Sequence, residues 1–349
     1  KVAAAASAPQ RSGRLLAVDT LRGMAALAVV AFHYTTRFTE LYGAQNAPAS
    51  YAVPWGHHGV NLFFIISGLV IFMTLERTKR PLDFVVSRFS RLFPAYWAAV
   101  ALTFTVVSVF GLPGKEVSTA QAAANLAMVH GLARVPHVDG VYWTLEVEML
   151  FYAGTLALFM AGRLRRIHFV LWALLSLRIA YQLLSSLAGI ELSWTLSRLL
   201  ILPYLPWFAL GMCIYQYTRA AARPPTGVTM VTVSLITVAL LVKEGAGIAA
   251  LAAILAALVW LAATGRARWL ENPVLSFFGT ISYPLYLLHE NIGWVVQRAV
   301  LARGGSMDLS ILVAFVVAVA LATLLTFAVE RPAMKAIRAR YAAARRWPS

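Results

Sequence analysis

Apolar segments of about twenty residues recur along this chain, and they constrain its fold more than any other feature. A helix needs about 20 mostly apolar residues to cross the hydrocarbon core of a bilayer, because each residue advances it by about 1.5 Å. Ten segments of the 349-residue chain meet this need: 16–36, 59–76, 92–110, 142–162, 167–185, 197–217, 227–243, 246–264, 274–301 and 309–330. The sequence therefore predicts an all-α, polytopic integral membrane protein with about ten transmembrane helices.

The composition agrees with this fold class. Residues of the set AVILMFWYC make up 60% of the chain and charged residues 13%, whereas soluble domains have about 45–50% apolar and about 25% charged residues. A single cysteine, Cys213, forms no disulfide within the chain. A net charge of +16 would indicate nucleic-acid binding in a soluble protein. In this chain the basic residues are concentrated in the loops on one side of the predicted spans, so we expect no nucleic-acid partner.

Basic residues, Lys and Arg, are concentrated in every second loop of the ten-span arrangement. Twenty-one lie in the two tails and the even-numbered loops, including Arg219 and Arg223 of the sixth loop, and six lie in the odd-numbered loops. Cytoplasmic loops carry the basic excess in membrane proteins. Both termini are therefore predicted to be cytoplasmic, with a tail at 1–14, one membrane domain at 15–331 and a basic tail at 332–349.

Two segments depart from a simple span. Segment 118–133 is apolar but short and carries polar residues, which predicts an interfacial or re-entrant helix. Segment 274–301 is longer than a span, and we expect Gly279 and Pro284 to kink or break it.

Ionisable side chains within spans mark candidate functional positions. Placing one such side chain in the membrane costs about 2.5–3.5 kcal/mol on insertion scales, so those present have a structural or functional reason. Arg22 and His33 share one face of the first span, separated by about 16 Å along the helix axis. The topology places His33, Glu148 and His289 in the outer half of the membrane. This common depth suits a site that handles protons.

Each of these positions also has a purely structural interpretation. Arg22 can anchor the helix by pairing with Asp19. His33 can be a buried neutral histidine that bonds a backbone carbonyl. Glu148 can pair with Arg178 inside the bundle.

Three further pairs of residues are candidates for binding or packing roles. Arg88 and Arg91 share a helix face at i, i+3, a spacing that suits phosphate groups but also ordinary headgroup anchoring. Metal ligands on a helix are usually spaced i, i+4, so the adjacent His57 and His58 predict no metal site. The pair Ser67-Gly68 favours close helix packing.

These motifs together resemble the acyltransferase-3 family of integral-membrane acyltransferases. The matching segments, in chain order, are Leu21-Arg22-Gly23 with His33-Tyr34, Gly59–Gly68, Arg88-x-x-Arg91, Trp143-Thr144-Leu145-x-x-Glu148-x-x-Phe151-Tyr152, Ser282-Tyr283-x-x-Tyr286-Leu287-x-His289 and Glu330-Arg331-Pro332. The family often has an acidic residue where this chain has Asn61, so no catalytic role is transferred to Asn61. The Trp-Thr-Leu form of the glutamate motif is similar to that of members that modify exported polysaccharides.

The resemblance implies an O-acyltransferase that uses cytoplasmic acetyl-CoA, or another acyl-CoA, as donor substrate. The acceptor would be a hydroxyl of a glycan or lipid-linked sugar, or of an exported small metabolite. Arg88 and Arg91 would bind the CoA phosphates. His33 would deprotonate the acceptor or carry the acyl group, and Glu148 would orient or stabilise its imidazolium. Supporting positions would be Arg22, His289, Tyr152 and Trp143.

We expect no permanently bound cofactor, a surrounding of membrane lipid, and a multi-pass location in a bacterial-type inner (plasma) membrane. A proton-coupled transporter of a small polar solute is the main alternative, because it would also bury His and Glu near the bilayer centre. The sequence has no inverted internal repeat, and the Arg88/Arg91 pair is readily explained by a phosphorylated donor. An inactive assembly subunit is a third alternative, disfavoured by the presence of both His33 and Glu148.

Overall fold

The structure is a computed structural model that describes residues 8–43, 49–190, 193–218 and 226–346. Regular secondary structure in these ranges is entirely helical. The α-helices are α1 Ala8–Phe32, α2 Phe38–Tyr42, α3 Gly59–Arg77, α4 Pro81–Phe110, α5 Thr119–Asn125, α6 Trp143–Met160, α7 Ile167–Ala188, α8 Trp194–Leu199, α9 Leu205–Thr218, α10 Thr226–Glu244, α11 Ala246–Ala263, α12 Pro273–Leu288, α13 Glu290–Leu301, α14 Met307–Leu325 and α15 Arg331–Arg346. The basic residues predicted for the sixth loop, Arg219 and Arg223, lie outside the described residues.

Seven helical stretches of the described chain are long and apolar enough to cross a membrane. They are Leu16–Tyr42, Pro54–Arg77, Pro81–Phe110, Leu164–Ala188, Thr226–Glu244, Ala246–Ala263 and Met307–Arg345. Each overlaps a predicted span. Large apolar side chains are exposed on several of them, as lipid-facing positions require, including Leu102, Val109, Leu187, Ile254, Leu312 and Leu324.

The other three predicted spans have a different form. The span at 142–162 is the helix α6, whose 18 residues include two glutamates. The span at 197–217 is divided into α8 and α9. The span at 274–301 is divided into α12 and α13. Ten crossings with both termini in the cytoplasm therefore remain a prediction.

The break in the ninth predicted span lies at His289, between α12 and α13, and not at Gly279 or Pro284; a kink at those two residues stays a prediction. Helix α12 continues through both of those residues. The His289 ring instead donates from Nδ1 to the carbonyl of Tyr286 at 2.9 Å. In an uninterrupted helix that carbonyl would accept from the amide of residue 290. The contact between this side chain and a backbone carbonyl thus lies where α12 ends.

Helix α4 begins eleven residues before the predicted span at 92–110. Pro81 occupies the first turn, where its missing N–H costs nothing, and Asp83 is favourable near the positive end of the helix dipole. As a consequence Arg88 and Arg91 both lie on α4, as their predicted common helix face requires.

The chain divides into two compact units. The first contains the chain up to Arg22, Asn61–Pro81 and Val147–Ser276. Within it, α3 and α9 pack closely, because a Cβ at Gly68 would overlap the backbone carbonyl of Phe208. The expectation of close packing at Ser67-Gly68 is therefore confirmed.

The second unit contains Gly23–Val60, Leu82–Glu146 and Phe277–Ser349. Segment 118–133 lies in this unit and forms the short helix α5, capped by Ser118, followed by a 3-10 turn at His130–Ala133.

Helix α15 also belongs to the second unit and is joined to α14 by a π-helical turn, Thr326–Glu330. Its Tyr341 and Arg345 both donate to Asp83 of α4, at 2.7 and 3.1 Å. The tail predicted from residue 332 is thus a helix docked on α4.

Candidate active site

His33 lies where α1 gives way to a π-helical turn, His33–Arg37, in the second unit. Its side chain is 14% exposed. The Nδ1 atom lies 2.9 Å from the Val29 carbonyl oxygen and 3.1 Å from Nε2 of His289. Trp294 donates from its indole nitrogen to the His33 carbonyl at 3.0 Å. The structure therefore brings together two histidines that lie 256 residues apart in sequence.

His289 is completely buried, and backbone carbonyls fix its ring. Its Nδ1 lies 3.1 Å from the Leu285 oxygen and 2.9 Å from the Tyr286 oxygen. The hydroxyl of Tyr34 donates to the His289 carbonyl at 2.8 Å. These contacts hold the ring against His33 and leave its Nε2 directed at the His33 ring.

Glu290, the next residue, places a buried carboxylate beside His33. Its Oε2 lies 3.4 Å from Nε2 of His33, and its Oε1 lies 3.6 Å from Nζ of Lys115. The Lys115 ammonium also lies 5.0 Å from the centre of the Trp294 ring. A Cβ at Gly140 would overlap the Glu290 carboxylate, so the glycine leaves the space that this side chain occupies.

A second buried carboxylate, Asp139, completes the polar cluster. It accepts hydrogen bonds from the backbone amides of Val141 at 3.2 Å and Asn291 at 3.1 Å. Burial, and then the negative charge of Glu290, raises the pKa of Asp139 well above its ordinary value. The cluster therefore holds two carboxylates, two imidazoles and one ammonium group in a water-poor environment, where electrostatic interactions are strong.

Glu148 belongs to the first unit and is held by two hydroxyl groups. Ser67 and Tyr152 both donate to its Oε1, at 2.8 and 2.6 Å. The proposed alternative partner, Arg178, instead donates to Glu244 at 2.7 Å. Arg178 also donates to two backbone carbonyls, at 3.1 and 2.9 Å. Arg178 is therefore not the partner of Glu148.

The two remaining supporting residues lie at intermediate burial. Arg22 is half-buried in α1, in the first unit. Trp143 is the first residue of α6 and is half-buried in the second unit. Their supporting roles remain predictions.

The arginine pair of α4 is only partly available to a ligand. Arg91 forms an ion pair with Glu330, whose side chain is 1% exposed. Arg88 donates to the hydroxyl of Ser87 at 3.1 Å. Arg338 of α15 donates to the Ser87 carbonyl at 3.4 Å and so adds a third guanidinium to this face of the unit.

Sequence reasoning missed the Glu290, Lys115 and Asp139 members of the cluster. Glu290 carries the signal that singled out His33 and Glu148, because it is an ionisable residue within a predicted span. Lys115 and Asp139 lie in the loop 111–141, where charged residues are ordinary, and no local pattern distinguishes them.

Comparison with known proteins identifies the family of the chain. A family model described as an acyltransferase domain matches residues 15–331. The chain belongs to the acyltransferase-3 family. Membership in this family, together with the seven long apolar helices of the described residues, makes it a multi-pass membrane acyltransferase.

Two relatives from rhizobia share parts of this acyltransferase-3 sequence. The exopolysaccharide production protein ExoZ of Rhizobium meliloti (strain 1021) is 28% identical over 306 residues, covering 82% of this chain and 93% of ExoZ. Protein 2 in the picA locus of Rhizobium radiobacter is 34% identical over 108 residues, covering 29% of this chain and 51% of that protein. No solved structure matches the chain.

Proposed function

We propose that this acyltransferase moves an acetyl group from cytoplasmic acetyl-CoA to a hydroxyl of an extracytoplasmic or membrane-associated glycan. The observation that carries the proposal is the part-buried His33, whose Nε2 lies 3.4 Å from the Glu290 carboxylate and whose Nδ1 lies 2.9 Å from the Val29 carbonyl oxygen. The similarity to ExoZ over 82% of this chain and 93% of ExoZ supports a polysaccharide acceptor. The multi-pass arrangement supports a location in the bacterial inner membrane.

The chemistry assigned to His33 is general-base catalysis. The His33 imidazole takes the proton of the acceptor hydroxyl, and the hydroxyl oxygen forms a bond to the thioester carbonyl carbon. The carbon–sulfur bond then breaks, and the CoA sulfur leaves as a thiol after taking the proton from His33. In the covalent alternative, the same imidazole attacks the thioester carbonyl carbon, the carbon–sulfur bond breaks and CoA leaves as its thiolate. The acceptor hydroxyl then takes the acetyl group from the ring and gives its proton to that thiolate.

Arg88 is the better candidate for donor binding within the arginine pair. Arg91 already pairs with the buried carboxylate of Glu330, whereas Arg88 donates to the neutral hydroxyl of Ser87. A guanidinium without a carboxylate partner can bind the CoA phosphates through charge-assisted hydrogen bonds.

Mass spectrometry of surface glycans tests this proposal. Three kinds of cells would be compared: cells with the intact gene, cells without it, and cells that express the His33→Ala variant at the level of the intact protein. We expect an acetyl group on the glycan only in cells with the intact gene. An unchanged glycan in the deletion strain, with the protein expressed in the parent, would contradict the choice of acceptor. An acetylated small metabolite in its place would indicate the alternative acceptor.

A further inference from the structure

We infer that Glu290 shares a proton with Nε2 of His33 and is the positioning residue that sets the basicity of that nitrogen. The inference rests on the proposed role of His33 in acyl transfer and deepens it. It names the atom that receives the acceptor proton and the carboxylate that stabilises the resulting imidazolium.

The backbone carbonyls determine where the protons of the two histidines lie. Nδ1 of His289 faces the carbonyl oxygens of Leu285 and Tyr286, which can only accept, so this nitrogen carries a proton. The neutral ring then has a lone pair on Nε2. That lone pair faces Nδ1 of His33 at 3.1 Å.

The same argument fixes the tautomer of His33. Its Nδ1 lies between the carbonyl oxygen of Val29 and the lone pair of His289, and both are acceptors. Nδ1 of His33 must therefore donate, and the lone pair of the neutral His33 ring lies on Nε2. Nε2 is thus the nitrogen available as a base or as a nucleophile.

The carboxylate of Glu290 lies beside Nε2 of His33, the atom that carries this lone pair. An unprotonated imidazole nitrogen and an ionised carboxylate would both be acceptors at the 3.4 Å that separates Nε2 of His33 from Oε2 of Glu290. A proton between them removes the conflict in the resting pair. Once the pair has lost that proton, Nε2 can take the proton of the acceptor, and the imidazolium that forms lies beside the Glu290 carboxylate. Catalytic hydrogen bonds are often long before substrate binds and shorten in the reacting complex.

Other charged groups surround the pair from each neighbouring segment. Lys115 contacts the second oxygen of Glu290 and favours its ionised form. Arg37, in the π-helical turn after α1, carries a positive charge. His57, in the 3-10 turn before α3, carries one when it is protonated. Asp139 opposes them with a second buried carboxylate. Removing Glu290 therefore leaves His33 among groups that disfavour its protonation, with Asp139 as the remaining opposing charge.

The pH dependence of acyl transfer tests the role of Glu290. In Glu290→Gln, the acid limb of the kcat/KM profile should move to lower pH by about one to three units, because the carboxylate no longer favours imidazolium. We expect kcat to fall by at least about 10-fold, because the weaker base transfers the proton less well. Glu290→Asp should recover part of both changes. Glu116→Gln removes an exposed glutamate next to Lys115 and should leave kcat and the profile unchanged.

Gly140→Ala provides a variant that keeps every ionisable group. Its added Cβ would displace the Glu290 carboxylate, so the acid limb should move in the same direction as in Glu290→Gln. This variant decides the question if Glu290→Gln does not fold. A folded Glu290→Gln or Gly140→Ala protein with an unmoved acid limb would overturn the inference, because a purely structural role changes the rate and not the profile.

Histidine NMR separates this inference from the proposed function. In ¹⁵N-histidine-labelled protein, with His33→Gln used for assignment, the neutral His33 ring should carry its proton on Nδ1. Its titration should move to lower pH in Glu290→Gln. These signals would persist if the wild-type protein transferred no acyl group, in which case the proposed function alone would fail. A proton on Nε2 of neutral His33 would overturn the inference.

Discussion

At the scale of single residues, a polar side chain in this protein is informative because its surroundings are apolar. The cost of placing an ionisable group in a bilayer singled out His33, Glu148 and His289 from the sequence. The structure places two of them in contact and shows that their rings are oriented by backbone carbonyls. A solvated histidine would have no such constraint on its tautomer.

The resemblance assigned Glu148 to stabilising the imidazolium of His33. Because Glu290 is the carboxylate in contact with that ring, we now expect Glu148 to contribute to turnover without controlling the proton balance of His33. Glu148→Gln keeps the shape of the side chain and an oxygen that Ser67 and Tyr152 can reach, but it loses the charge. Hydrogen bonds to a charged group contribute about 1.5–3 kcal/mol. We expect kcat between those of the wild type and His33→Ala, with the acid limb of the pH profile unmoved. A profile that shifts as in Glu290→Gln would assign the acid-partner role to Glu148 instead.

At the scale of secondary-structure elements, the ends of helices were harder to predict than their existence. Each of the seven long apolar helices overlaps a predicted span. The break at His289 was not predicted, because histidine is not itself a helix-breaking residue. The start of α4 at Pro81 was missed because the amphipathic turns before residue 92 contain too many charges to count as a span.

The ion pair between Arg91 of α4 and Glu330 is predicted to stabilise the second unit. Arg91→Ala should lower the unfolding temperature in detergent, because breaking a buried pair costs about 3–5 kcal/mol. Glu330→Gln in the same chain should restore most of this loss. Arg345→Ala, which breaks the exposed pair with Asp83, is the matched control and should cost at most about 1 kcal/mol.

Arg88→Ala should behave differently from Arg91→Ala. We expect Arg88→Ala to fold normally and to weaken CoA binding, measured by calorimetry, by about 1.5–3 kcal/mol. If Arg91→Ala is as stable as the wild type while Arg88→Ala is not, the assignment of one structural and one donor-binding arginine is reversed.

At the scale of the whole molecule, hydropathy and loop charge predict an all-helical membrane protein. They cannot predict which distant segments meet, because Lys115, Asp139 and Glu290 come together only through the tertiary contacts of the second unit. The order of motifs along the chain identified the family, since six short segments in sequence carry more information than any one of them. The membrane orientation still rests on the basic loops alone.

Cysteine labelling tests that orientation. In a Cys213→Ala background, a cysteine at the exposed Ile190 should react with an impermeant reagent from outside, and one at the exposed Arg80 only from inside. Positions 48 and 222, which lie outside the described residues, should react from outside and inside, respectively. Outside labelling at position 222 would contradict the ten-span arrangement.

The most direct test of the central claim is acetyl transfer by purified, reconstituted protein with and without His33. With labelled acetyl-CoA and a glycan acceptor, His33→Ala should lose at least about 100-fold in turnover while it keeps CoA binding and thermal stability. His168→Ala, which removes a buried histidine that bonds Thr232 in the first unit, serves as the matched control and should retain turnover. An acetyl-imidazole trapped on His33 without acceptor would indicate the covalent route. Full activity of a folded His33→Ala protein would contradict the mechanism in both of its forms.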